Sequence, residues 1–211
     1  MGAMGFSRQG NTSWLSGNME ASLSGRTIDD MVGRAMINNF VYASATDTLS
    51  TELINISLAG GEHDKSFLLY SPIAEVEYQS TASYKQVLDY LTNTLPSQLP
   101  LAKRPLPEGE SGEVTYGNRL YAANDYTAAT VRIKEGENLA AVIIPGGNLA
   151  DDSSVTLEFS PSAREFSLLV DSDYLAADDV VVSALRLEAN GAGYTLGLNA
   201  ECDELLAMGI S

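Results

Sequence analysis

Cysteine and histidine are almost missing from this chain: Cys202 is the single cysteine and His63 the single histidine among 211 residues. One cysteine excludes an intrachain disulfide framework and any multi-cysteine zinc site. One histidine means that a Ser-His-Asp or Cys-His arrangement uses His63 or does not exist. His63 lies in the polar turn Gly60-Gly61-Glu62-His63-Asp64-Lys65-Ser66, and no Gly-x-Ser-x-Gly elbow presents a nucleophile to it. It reads as a solvated loop histidine. The same turn is no phosphate loop, because Asp64 stands where a glycine should precede the lysine, and its carboxylate repels phosphate.

Positive charge is also scarce, with 12 Lys and Arg against 28 Asp and Glu and a formal net charge of −16. The basic residues are scattered singly except for Lys103-Arg104. A nucleic-acid backbone or an anionic membrane would be repelled by such a field, so neither is expected as a partner. Long apolar runs are missing too. The stretch from Leu139 to Pro145 falls far short of the roughly 20 residues a helix needs to cross a bilayer. No basic segment followed by an apolar one heads the chain, so no secretory signal is expected, and no membrane span.

What is present begins with residues 1–25, rich in Gly, Ser and Asn, with only Arg8 and Glu20 charged and with Phe6, Trp14 and Leu15 among its large apolar side chains. Such a segment buries too little apolar surface to offset its own ordering entropy. It therefore reads as an extended N-terminal arm held in place by a neighbouring subunit, with Phe6, Trp14 and Leu15 as the assembly contacts. Residues 26–211 read as a single β-rich domain.

Thr27-Ile28-Asp29-Asp30 is an N-cap with acids in the first turn, and Met31, Val32, Ala35, Met36 and Phe40 follow at helical spacing, which predicts a helix over 28–42. From Thr51 to Ala59, Leu53, Asn55 and Ser57 alternate with Ile54, Ile56 and Leu58, a half-buried strand. Residues 66–79 read as one long strand bent at Pro72. Ser83-Tyr84-Lys85-Gln86 is a second capping box, opening a helix that stops before Pro96. Four prolines between 96 and 112 mark an extended connector.

Beyond it, strand candidates at 126–134, 139–145, 155–160, 165–171, 180–188 and 194–199 are separated by Gly, Pro, Asn and Asp, and Asn199 caps a last short helix ending at Gly209. The fold expected is mainly β, an antiparallel β-sandwich or jelly-roll-like barrel with two helices in the first half and a short C-terminal helix.

Chemistry-bearing constellations are few. Asp171-Ser172-Asp173-Tyr174-Leu175-Ala176 begins like a calcium loop, but Leu175 and Ala176 replace a ligand and the turn glycine. An irregular Ca²⁺ cage from Asp171, Asp173, Asp178 and Asp179 is the remaining metal reading; no other cofactor is expected. Tyr116, Asn118, Tyr121, Asn124 and Tyr126 place aromatic faces beside amides, a pattern suited to a sugar or peptide and equally to interface contact area. Asn11-Thr12-Ser13 and Asn55-Ile56-Ser57 match glycosylation sequons, which carry meaning only on a secretory route.

These features point away from an enzyme and toward a structural subunit of a large symmetric assembly. The class expected is a virus or phage particle protein (capsid, decoration or tail component), homo-oligomeric, located in the virion and contacting copies of itself and other structural proteins. The alternative is a secreted or cell-surface adhesion module, Ca²⁺-dependent, that binds glycans or peptides through the tyrosine-rich loop.

Overall fold

The computed structural model describes residues 6–8, 11–44, 47–61, 64–91, 125–143, 147–160, 162–163, 165–177, 180–192 and 195–207. Their strands are β1 (Phe6–Arg8), β2 (Asn11–Ser24), β3 (Val32–Ala43), β4 (Thr48–Gly61), β5 (Asp64–Tyr70), β6 (Ala74–Ser80), β7 (Thr127–Ile133), β8 (Asn148–Leu149), β9 (Ser154–Ser160), β10 (Glu165–Ala177), β11 (Val180–Ala192), β12 (Thr195–Glu201) and β13 (Glu204–Ala207). Two helices, α1 (Tyr84–Asp89) and α2 (Gly136–Ile143), accompany them. The protein is mainly antiparallel β. One sheet runs in the order β1-β2-β3-β4-β5-β6-β7-β9-β10-β11-β12, with β8 paired to β10 and β13 paired to β11. Among the described residues the strands follow one another as a meander, in place of the two Greek keys of a jelly roll.

The registers explain why such a broad sheet forms. A line drawn across it meets Ala21, Ala35, Ile56, Leu69, Val76, Val131, Val155, Val170, Leu187 and Ala200 in turn, each paired with the next. Every residue on that line is apolar. Because side chains alternate between faces, the adjacent line on the other face carries Glu20, Asn55, Glu75, Arg132, Asp171 and Arg186. A slip of one residue anywhere would turn a whole strand's apolar set to the wrong side.

Helix α1 covers part of the apolar face. Ala82, Val87 and Tyr90 pack with Phe159, Phe166 and Ala189, and the Tyr90 ring stacks on Phe159 at 4.6 Å between centroids. Ser83 accepts the Gln86 N–H at 3.1 Å while the Gln86 side chain accepts the Ser83 N–H at 2.8 Å, the expected capping box. A cross-strand glycine makes room for the core: a Cβ on Gly191 would lie 2.1 Å from Cε1 of Phe166. Gly33, at φ +138°, lets β2 approach β3, since a Cβ there would meet the Ser22 carbonyl oxygen at 2.1 Å.

Several sequence expectations are corrected. The helix expected over 28–42 is a single 3-10 turn, Ile28–Asp30, followed by β3. Val32, Ile37 and Val41 favour a strand, and pairing with β2 and β4 on its two sides satisfies the backbone. The long strand bent at Pro72 is a hairpin, in which the Ser71 hydroxyl donates to the Ala74 carbonyl at 2.9 Å and β5 and β6 run antiparallel. The strand expected at 139–145 is helix α2, whose first N–H, on Gly136, donates to Asp151 Oδ1 at 2.7 Å. A short apolar run does not separate the two states by period. The C-terminal helix is replaced by β12 and β13, both paired with β11. The connector at 96–112 and His63 lie outside the described residues.

Candidate assembly interface

The stretch expected to be an extended arm lying on a neighbouring subunit is, from Asn11 to Ser24, strand β2 of the chain's own sheet. Trp14 pairs with Ala43 and Leu15 with Tyr42, yet their side chains remain 50% and 44% exposed. Phe6 lies in β1, paired with Ser13. Sequence reasoning missed the strand although its signal is there: Asn18, Glu20 and Ser22 alternate with Met19, Ala21 and Leu23. Small and polar residues gave that alternation too little apolar contrast.

Strand β2 is an edge. β1 covers only its Asn11–Ser13 end, and among the described residues the outer side from Trp14 to Ser24 has no strand partner. The opposite edge is built from two strands in one register: Arg186 pairs with Glu201 and Ser183 with Glu204. The Asp203 N–H donates to the Ser183 carbonyl at 3.0 Å, bridging the break at Cys202. Ala184, at φ +49°, sits opposite that break. Large apolar side chains stand exposed at both edges, Met19 and Leu23 on β2, Leu198 on β12, Leu205 and Leu206 on β13.

The polar face is laced with ion pairs. Lys134 Nζ lies 3.2 Å from Glu75 Oε2 and 4.0 Å above the Tyr70 ring centroid, and Arg186 reaches Glu188 at 2.9 Å and Asp171 at 3.7 Å. Pairs this exposed contribute little each. A shallow trough of about 650 Å³ crosses this face over β2 to β5, lined by Glu20, Arg34, Met36, Asn55, Leu68 and Tyr70 among others. It carries no nucleophile–base pair.

A buried polar cluster anchors the turn before β3. Asp29 accepts the Tyr84 N–H at 2.7 Å, at the start of α1, and lies 4.0 Å from the ammonium of Lys65, whose side chain is 3% exposed. Asp30 instead closes its own turn, and its carboxyl is held below the ordinary carboxylate range, first by the Thr27 hydroxyl and then by the Thr27 and Arg26 N–H groups. Tyr78 stacks on Tyr84 at 5.6 Å. Burial, with smaller contributions from Tyr84 and Asp29, pushes the Tyr78 hydroxyl above its usual value, and the nearby Ser80 pulls it partly back. Among the described residues the Tyr78 hydroxyl has no hydrogen-bond partner of good geometry. With Asp29 tying the turn to α1, this cluster is a fastening of the fold.

The remaining expected site residues lie only in part among the described ones. Asp171 and Asp173 project from β10, a strand rather than a loop, and Asp171 is engaged by Arg186. Asp178 and Asp179 lie outside the described residues, and among the described residues no group of three or more His, Cys, Asp or Glu side chains is placed to hold a metal ion. Tyr126 is exposed, its hydroxyl pushed up by burial and then by Glu158; Tyr116, Asn118, Tyr121 and Asn124 lie outside the described residues. Among the described residues no helix is long and apolar enough to cross a membrane. Compared with protein-family models, with curated proteins and with solved structures, the chain matches none.

Proposed function

We propose that this protein is a structural subunit of a large symmetric assembly, a virus or phage particle component of the capsid, decoration or tail class that resides in the virion. The observation that carries the reading is a broad sheet whose outer strands, among the described residues, stay open and leave Met19, Leu23 and Leu198 exposed. An open, apolar strand edge is a template for another chain, and natural proteins leave one where a partner covers it. In this reading the N-terminal segment, through Trp14 and Leu15, contacts a neighbouring subunit. Curling of the sheet into a sandwich-like body belongs to the same proposal, since a twisted sheet of about ten strands curls or splits into packed layers. Among the described residues no nucleophile–base arrangement favours a catalytic role over this reading. Fold alone does not carry function, so the test is direct: sedimentation velocity and electron microscopy of the purified chain across a wide concentration range. Closed rings, tubes or shells are expected; a monomer at every concentration refutes the reading.

A further inference from the structure

The two edges of the sheet that are open among the described residues match one another in direction, length and facing. The path from β2 to β12 passes through ten strands, each antiparallel to the one before. Strand β12 therefore runs opposite to β2. An identical copy set beside the first in the same orientation brings its β2 against β12 of its neighbour as an antiparallel pair, and the alternation continues unbroken. With an odd number of strands the same placement would force a parallel junction. The open parts are of similar length, Trp14–Ser24 on one side and Thr195–Ala207, in one register across Cys202, on the other.

The facing agrees as well. Leu23 begins, and Leu198 ends, a line of paired residues on the apolar face, while Ser22 and Asn199 lie one position along on the polar face. Joined edges place Leu198 of one copy among the apolar β2 residues of the next, so each face keeps its character across the junction. Neither edge carries a lysine or proline within its open span; the charged residues there are Glu20 on β2 and Glu201, Asp203 and Glu204 on the β12–β13 edge, so carboxylates are the only guarding charges on either side.

We propose that copies of this chain join head to tail by antiparallel pairing of β2 with the β12–β13 edge of the next copy, one sheet continuing through successive subunits. This inference rests on the assembly reading above and specifies its contact. Because the two joined patches differ, the junction repeats from copy to copy, closing into a ring where the rotation per subunit allows and extending as a filament where it does not.

The test is oxidative crosslinking of the full chain in a Cys202→Ser background. Asn199→Cys is combined in turn with Asn18→Cys, Glu20→Cys, Ser22→Cys or Ser24→Cys, all exposed residues, and folding is checked by circular dichroism. At least one pair is expected to give a ladder of dimers, trimers and longer species on non-reducing gels. The single-cysteine chains, and Asn199→Cys with Ala21→Cys on the opposite face, are expected to give none. A ladder from the Ala21 control as strong as from the best pair overturns the proposal, as does a crosslinked dimer from the β2 cysteines alone, which marks a two-fold β2–β2 contact. Absence of any ladder from a chain that sediments as a multimer overturns the edge junction and leaves the assembly reading standing. Absence of a ladder from a chain that sediments as a monomer overturns both.

Discussion

Substituting Leu198 by lysine separates the stability of the subunit from that of its junctions. Leu198 is 63% exposed on the edge strand β12, so in an isolated subunit the change touches almost nothing, and surface changes of this kind stay within about 0.5 kcal/mol. In a joined sheet the same side chain loses about 100 Å² to its neighbour, which at about 25 cal/mol per Å² contributes about 2.5 kcal/mol per junction. That loss corresponds to an association about 70-fold weaker, more if the ammonium is held away from water. Sedimentation velocity over a dilution series reads the midpoint, and a thermal melt of the dissociated subunit reads its own stability. The midpoint is expected to rise by about 70-fold, with a melting temperature within about 2 °C of the unaltered chain. Gln79→Lys, an equal change of charge at an exposed position inside the sheet, controls for charge and leaves both readings in place. An unchanged midpoint for Leu198→Lys refutes the reasoning.

Three further outcomes test the subunit itself. Gly191→Ala sets a methyl 2.1 Å from the buried Phe166 ring, and the displaced ring is expected to cost about 1–3 kcal/mol in urea unfolding; a neutral substitution would mean that the ring moves freely. Tyr90→Ala removes a fully buried ring stacked on Phe159 and is expected to cost about 3–5 kcal/mol, with loss of near-UV dichroism from the packed aromatics. Asp30 has a depressed carboxyl pKa in the folded chain, so its contribution is present above the unfolded value, about 4, and is lost as the pH falls through the folded one. Asp30→Asn should therefore unfold more readily than the parent near neutrality, the gap closing in acid, while carboxyl NMR places the Asp30 midpoint below that of an ordinary aspartate. A gap that stays constant down to pH 2 would contradict the assignment.

The parts of the fold legible in the sequence are those where local chemistry and tertiary pairing agree. The alternation at 51–59 marks β4, the Ser83 capping box opens α1, and the turn residues of the second half separate β9, β10, β11 and β12 close to where they pair. That no helix among the described residues is long and apolar enough to cross a membrane is legible from run length alone. Elsewhere local signals compete. Thr27 and Asp30 do form their turn, but Asp29 serves the start of α1 instead, and the helical spacing of Met31, Ala35 and Met36 yields to strands on both sides. The run from Leu139 fits helix and strand alike, and Asp151 receives the N–H of Gly136 from fifteen residues away.

Residue counts alone established a formal net charge of −16 and the lack of an intrachain disulfide or multi-cysteine metal framework, and alternation with turn spacing a chain dominated by antiparallel strands. Only the tertiary structure decided that residues 11–24, read as part of an extended arm on a neighbouring subunit, form an edge strand of the chain's own sheet. The physical reason is that the large apolar side chains of this strand, Trp14, Leu15, Met19 and Leu23, stay largely exposed, so little burial of its own orders it; its ladder with β3 does, and that ladder exists only when β3 lies beside it. The same dependence leaves the outer side of β2 open for a further strand, which no reading of residues 1–25 in isolation contains.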